Sequence, residues 1–132
     1  MDRKKLFRII AFLVVFISVT NFFANKFYWY YSIWYFDMIM HFLGGVWVGL
    51  ASIYLFPPKD LSIKFIWRIL FFVLLVGVGW EVFEVFVSRM TTESSYFNIL
   101  DTISDVFFDL AGGVFAILYF LKRIMYINEN KV

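Results

Sequence analysis

The chain has 132 residues, of which 63% are hydrophobic and 24% aromatic, with a net charge of +2 and a mean hydropathy of +0.81. A soluble domain carries about 45–50% apolar residues, so this composition excludes an ordinary soluble protein, and the small net charge gives no sign of a nucleic-acid partner. The absence of cysteine excludes disulfides and thiolate metal sites.

The first predicted element is an apolar span at Leu6–Phe23, which follows a basic leader. A helix needs about 20 mostly apolar residues to cross the hydrocarbon core of a membrane. The end of this span lacks the small-x-small pattern of a signal-peptide cleavage site. We therefore interpret it as an uncleaved membrane anchor.

The connection Ala24–Asp37 contains an almost wholly aromatic run at residues 27–36. Tryptophan and tyrosine are enriched where a protein crosses the membrane–water interface. An interfacial belt is therefore the favoured interpretation, and a lid or platform for lipid headgroups is the alternative.

Three more apolar spans follow, at Met38–Phe56, Phe65–Ser88 and Thr102–Leu121. The turn at 57–60 begins with two prolines, which end a helix because proline lacks an N–H donor. The last connection is Arg89–Asp101. We predict an all-α protein whose four transmembrane helices form one bundle.

The basic residues predict the orientation of this bundle, which we take as a single domain over residues 1–132. Four spans put the N-terminus, the second connection and the C-terminus on one side. Ten basic residues are on that side: Arg3, Lys4, Lys5, Arg8, Lys59, Lys64, Arg68, Lys122, Arg123 and Lys131. The other side has only Lys26 and Arg89, so both termini are predicted to be cytoplasmic.

Acidic residues are concentrated at the opposite end of the spans. Seven of the ten acidic residues, and the only histidine, lie at or near that end. An ionised carboxylate within a bilayer costs roughly 2.5–3.5 kcal/mol on insertion scales. Several at a similar depth would be very unfavourable without compensation, so their coincidence predicts a functional site.

The spacing of these residues is helical. Positions four residues apart lie on one helix face, and glycines on that face let helices approach closely. The stripes are Asp37-His41-Gly45-Gly49, Gly77-Glu81-Glu84 and Asp101-Asp105-Asp109-Gly113. They predict a polar pocket between three closely packed helices that opens toward the outer side.

The expected chemistry is cation binding or proton transfer, because the nearby basic residues cannot neutralise so many carboxylates. Carboxylates with one imidazole suit Mg, Mn or Zn, although no familiar metal-binding motif is present. We predict a divalent-metal site whose candidate ligands are Asp37, His41, Glu81, Glu84, Asp105 and Asp109.

Purely structural roles are the alternative to metal binding for three of these residues, His41, Glu81 and Glu84. His41 would then hydrogen-bond a neighbouring helix. Glu81 and Glu84 would form an interfacial salt bridge with Arg89.

Acidic residues in the last span are stronger candidates for metal ligands than those in the connection before it. Asp101 is interpreted as the N-cap of the fourth helix in preference to a ligand, and Glu93 as a solvated loop residue. Asp105 and Asp109 lie inside the span with no basic residue near them in sequence. Asp109 is therefore the strongest candidate.

The order of these motifs resembles a known family. Asp37-x-x-x-His41-Phe42-x-x-Gly45, Glu81-x-x-Glu84 and Asp101-Thr102-x-x-Asp105-x-x-x-Asp109-x-x-x-Gly113 look like the VanZ-like and YjdF-like group, over about Phe36–Phe120. The resemblance implies an integral protein of the bacterial cytoplasmic membrane with four or five spans. It also implies a cell-envelope role, through the link between VanZ and glycopeptide resistance, but it names no reaction.

Three functions are consistent with these features. In the first, a bound metal engages the phosphate of a phospholipid or polyprenyl-phosphate headgroup, and the candidate catalytic residues are Asp109, Asp105, Glu84 and His41. The second is ion or proton transport, for which a homo-oligomer would have to supply the missing half of a pathway. The third is an accessory role in which the cluster only stabilises the bundle.

One protease family offers a further, weaker resemblance. Residues 97–102 loosely resemble the Phe-Asn-x-Ala-Asp-Ser segment of lipoprotein signal peptidases, which are four-span aspartyl proteases. Those enzymes need a second aspartate in a Gly-Asn-x-x-Asp-Arg setting. This chain lacks that setting, so the protease interpretation is disfavoured.

Overall fold

The protein is a bundle of α-helices in a computed structural model that describes residues 2–58, 60–91 and 98–129, with side chains outside 88–91 and 127–129. The helices are α1 (Arg3–Lys26), α2 (Trp29–Ser32), α3 (Phe36–Leu55), α4 (Ile63–Thr91) and α5 (Ile99–Glu129). Within the described residues, all but the short α2 are long and apolar enough to cross a membrane. The predicted all-α architecture with four membrane-spanning helices is confirmed.

The helices extend beyond the predicted spans. The 31 residues of α5 correspond to about 46 Å of helix, against roughly 30 Å for the hydrocarbon core. A helical backbone satisfies its own polar groups, so nothing requires these helices to end where the apolar sequence ends. The predicted connection Ala24–Asp37 is correspondingly shorter, and it contains α2.

Local hydrogen bonds define the start of two helices. The Asp2 side chain caps α1 by accepting a bond of 3.1 Å from the Lys4 backbone N–H. At α5, the Leu100 N–H donates to Asn98 Oδ1 at 3.2 Å. The prediction that Asp101 is the cap is wrong, because α5 begins two residues earlier and Asp101 lies in its first turn.

The contact between α3 and α5 is the most extensive in the bundle, and glycines make it possible. A Cβ atom at Gly45 would collide with the backbone carbonyl of Asp109, and one at Gly112 would collide with the carbonyl of Phe42. These two positions therefore need glycine for the backbones to approach this closely. Gly45 belongs to a predicted stripe, whereas Gly112 does not.

An apolar core fills the part of the bundle toward the C-terminal half of α3. Ile53, Ile69 and Val73 are its most completely buried large side chains. They lie on α3 and α4, and α5 contributes Ile117 and Phe120. Since Ile53 follows His41 by twelve residues, this core is about 18 Å along the helix from the acidic end.

Candidate metal centre

The imidazole of His41 lies at the centre of four carboxylates. Its Nε2 atom is 3.8 Å from Asp37 Oδ1, 3.8 Å from Glu81 Oε1 and 3.9 Å from Asp105 Oδ2. Its Nδ1 atom is 3.4 Å from Asp109 Oδ2. Three helices thus bring five of the predicted site residues together.

The helical repeat and one glycine, Gly77, explain this arrangement. Asp37 and His41 are one turn apart on α3, as are Asp105 and Asp109 on α5, while Glu81 enters from α4. A Cβ atom at Gly77 of α4 would lie 2.5 Å from Asp109 Oδ2. The Asp109 carboxylate therefore occupies space that α4 leaves open by carrying a glycine there.

Four members of the cluster are buried. His41, Glu81, Asp105 and Asp109 are each less than a tenth exposed, whereas 38% of the Asp37 side chain is accessible. The cluster is therefore closed on most sides and opens next to Asp37.

One carboxylate oxygen of Glu81, Oε1, is buried and has no hydrogen-bond partner among the described protein atoms. The separation of 3.8 Å from His41 Nε2 is too long for a hydrogen bond. Leaving a buried acceptor without a partner costs about 1–3 kcal/mol, so a positive partner at this oxygen would be favoured.

The cluster also has the dimensions of a cation site. One ligand atom from each of Asp37, His41 and Asp105 lies within 4.8 Å of the others. This group supplies one imidazole nitrogen and two carboxylate oxygens, and Glu81 Oε1 lies 3.8 Å from His41 Nε2. Such a donor set suits Mg, Mn or Zn.

Two of the predicted residues lie apart from these contacts. Glu84 is exposed, and its Oε1 accepts a hydrogen bond of 3.0 Å from Trp80 Nε1 on the same helix. Asp101 is also exposed. The Arg89 side chain and Glu93 lie outside the described part of the chain, so the predicted pairing with Arg89 stays a prediction.

A residue that sequence reasoning missed links α2 to α1. The Tyr30 hydroxyl donates to Asn21 Oδ1 at 2.8 Å, and the Tyr30 ring packs edge-on against Phe36 with centroids 5.0 Å apart. Burial, with the nearby carboxylates of Asp37 and Glu84, raises the pKa of Tyr30 to about 12. A lone asparagine in an apolar span gives no sequence signal for this bond.

The match between this sequence and a known protein family covers almost the whole chain. Residues 2–125 match the family described as "Predicted membrane protein (DUF2238)". The chain belongs to this family. No curated protein and no solved structure matches it.

The family description supports a membrane protein and names no reaction, ligand or partner. The matched range contains every residue of the His41 cluster. The more specific resemblance to VanZ-like and YjdF-like proteins stays a prediction, as do the cell-envelope role and the orientation of the termini.

Proposed function

We propose that this membrane protein binds one divalent cation between α3, α4 and α5. The proposed ligands are His41 Nε2 and carboxylate oxygens of Asp37, Glu81 and Asp105. The observation that carries the proposal is the buried Glu81 Oε1, which has no hydrogen-bond partner among the described atoms and faces the imidazole at 3.8 Å. A cation would give this oxygen the partner that it lacks.

The distances support a cation better than a protonated imidazole. An imidazolium donates charge-assisted hydrogen bonds of about 2.7–2.9 Å, whereas all three oxygens lie 3.8–3.9 Å from Nε2. Ligand atoms about 2.0–2.2 Å from one metal lie roughly 3.0–3.6 Å from each other. The Nε2–oxygen distances exceed this range by a few tenths of an ångström, and one ligand atom from each of Asp37, His41 and Asp105 lies within 4.8 Å of the others. A bound cation would draw these groups and Glu81 closer together.

Asp109 has a different proposed role, which revises its assignment from sequence as a ligand. A metal-bound histidine usually donates its second ring N–H to a carboxylate, which fixes the tautomer and the ring orientation. Asp109 Oδ2 lies 3.4 Å from Nδ1, on the side of the ring away from the other carboxylates. We therefore assign Asp109 as a positioning residue that leaves the Nε2 lone pair free for the cation.

The proposed cation would act on the phosphate of a lipid in the bacterial cytoplasmic membrane, on its outer side. A divalent ion polarises a phosphoryl oxygen and activates bound water. The accessible carboxylate of Asp37 supports an opening for a headgroup at that edge. Glu84 is the candidate general base, because it is exposed and lies one turn from the proposed ligand Glu81.

Thermal unfolding of the purified protein in detergent, with Mg, Mn, Ca or Zn added in turn, tests the cation site. A cation that binds the folded state alone stabilises it by about 2.7 kcal/mol at 100 times its Kd. We expect saturable stabilisation by one of these ions, lost in Glu81→Gln and retained in the matched variant Glu84→Gln. Equal loss in both variants, or stabilisation by none of the ions, would overturn the proposal.

The proposed lipid chemistry needs its own experiment. Phosphatidic acid and a polyprenyl pyrophosphate are incubated with the cation-loaded protein, and the released phosphate is measured. We expect release that depends on the cation and is lost in Glu81→Gln. Cation binding without release from either lipid would leave the site in place and refute this part of the function.

A further inference from the structure

The first turns of α1 form a cationic surface at the end of the bundle remote from the His41 cluster. Arg3, Lys4, Lys5 and Arg8 are all exposed. No carboxylate among the described side chains lies within ion-pair distance of these four residues. All ion pairs between described side chains involve His41. The nearby Asp2 carboxylate accepts from the backbone of Lys4 instead.

One face of α1 changes from charged to apolar within two turns. Lys5, Arg8, Ile9 and Phe12 line a shallow, open concavity of about 390 Å³. Their spacing of three, four and seven residues places them on a single helix face. From Lys5 to Phe12 this face is about 10 Å long, so basic groups stand directly above apolar surface.

A second concavity, of about 360 Å³, lies where α1 meets the end of α3. It is lined by Arg3, Lys4, Phe7, Arg8 and Tyr54, so Arg8 belongs to both depressions. The Arg3 guanidinium lies 4.9 Å from the centre of the Tyr54 ring, and the Phe7 ring lies 5.8 Å from it. These contacts hold the basic turn against α3.

We propose that this surface binds an anionic glycerophospholipid of the bilayer. The lipid phosphate would lie between Lys5 and Arg8, with an acyl chain along Ile9 and Phe12. The positive charges of Lys5 and Arg8 are complementary to the phosphate, and the apolar surface of Ile9 and Phe12 matches the acyl chain. A soluble phosphate has no acyl chain to contact that surface. Basic surfaces beside membrane helices bind anionic headgroups in this way. The proposal is independent of the cation site, since the two lie at opposite ends of the bundle.

Lipid binding to the full-length protein tests this proposal. Native mass spectrometry in detergent gives the Kd for phosphatidylglycerol and for phosphatidylcholine with the same acyl chains. The test variant is Lys5→Gln/Arg8→Gln. The control, Lys64→Gln/Lys122→Gln, removes the same charge from exposed lysines on α4 and α5, and circular dichroism verifies that both variants remain helical.

We expect saturable binding of phosphatidylglycerol in preference to phosphatidylcholine. The test variant should weaken it by about 30-fold, from the typical contribution of each basic residue, while the control stays within about threefold of the unmodified chain. Equal weakening in both variants would mean a general surface-charge effect and overturn the site. Displacement of the lipid by millimolar glycerol phosphate would mean a site for free phosphate and would also overturn it.

Discussion

The two nitrogens of His41 have different surroundings. Nδ1 has one close carboxylate, that of Asp109 at 3.4 Å. Nε2 faces three carboxylates at nearly equal distances of 3.8–3.9 Å. A metal-bound histidine almost always donates its second ring N–H to a carboxylate, a backbone carbonyl or water, so this asymmetry supports the proposed role of Asp109.

Asp109→Asn tests the proposed orientation of the imidazole. The change keeps the shape of a side chain that lies against Gly77 but removes its charge. Loss of such a partner typically weakens metal binding 10–100-fold, and we expect a loss in that range by isothermal titration calorimetry. Glu84→Gln is the control and should bind as the unmodified chain does. Unchanged affinity in Asp109→Asn would refute the positioning role.

Sequence spacing could identify most of the cluster but not its exact membership. Asp37 with His41, and Asp105 with Asp109, are one helical turn apart and must share a face. Glu81 and Glu84 are also close on one face of α4, being three residues apart. Which of them turns inward depends on how α4 rotates against α3 and α5, and Glu84 instead pairs with Trp80.

The contact between α3 and α5 places the carboxylates of Asp105 and Asp109 beside the imidazole. Its glycines allow the backbone of Asp109 to lie against Gly45. The sequence predicted close approach at Gly45 from its alignment with His41. It did not predict Gly112, because Gly112 and Gly113 are adjacent and periodicity alone favoured the second.

The substitutions Gly45→Ala and Gly79→Ala compare a glycine in close helix contact with a glycine that has open space beside it. A Cβ at Gly45 would meet the α5 backbone, whereas one at Gly79 has no atom within 4 Å. Overpacking costs typically about 1–3 kcal/mol, while replacing an open helical glycine by alanine adds up to about 1 kcal/mol of helix propensity. We expect Gly45→Ala to lower the thermal midpoint in detergent and Gly79→Ala to leave it unchanged or raise it. The reverse order would contradict the observed packing.

The short helix α2 was not predicted, although the aromatic belt was. Tyr28 precedes α2 with φ of 57°, a left-handed conformation that is uncommon for residues other than glycine. No pattern in an aromatic run indicates such a turn. The bond from Tyr30 to Asn21 then ties α2 to α1.

Alkaline titration tests the environment of Tyr30. Its pKa of about 12 in the folded protein is above the usual value near 10, so folding favours the protonated phenol. Its contribution to stability is therefore present below pH 10 and lost as the pH rises through about 12. The ultraviolet difference titration between the unmodified chain and Tyr30→Phe should show one tyrosine ionising near pH 12. Ionisation near pH 10 would contradict the half-buried, hydrogen-bonded phenol.

For the whole molecule, the sequence predicted the four membrane-length helices because long apolar segments are an unambiguous signal. It also predicts both termini on the cytoplasmic side. Since the chain has no cysteine, a single introduced thiol can report the side on which it lies.

Labelling of intact cells tests this orientation. Tyr31 is 90% exposed on α2, and Lys122 is exposed near the end of α5. A membrane-impermeant maleimide should label Tyr31→Cys in intact cells and label Lys122→Cys only after lysis. The opposite pattern would place the His41 cluster on the cytoplasmic side.

X-ray absorption spectroscopy of the metal-loaded protein tests most directly whether a divalent cation binds at His41. His41 is the only histidine in the sequence, so in protein without a histidine tag, imidazole scattering can come from no other residue of the same chain. With bound Zn, we predict one imidazole nitrogen at about 2.0–2.1 Å together with carboxylate oxygens, and loss of the imidazole signal in His41→Gln. A spectrum with oxygen ligands alone would contradict the proposed centre.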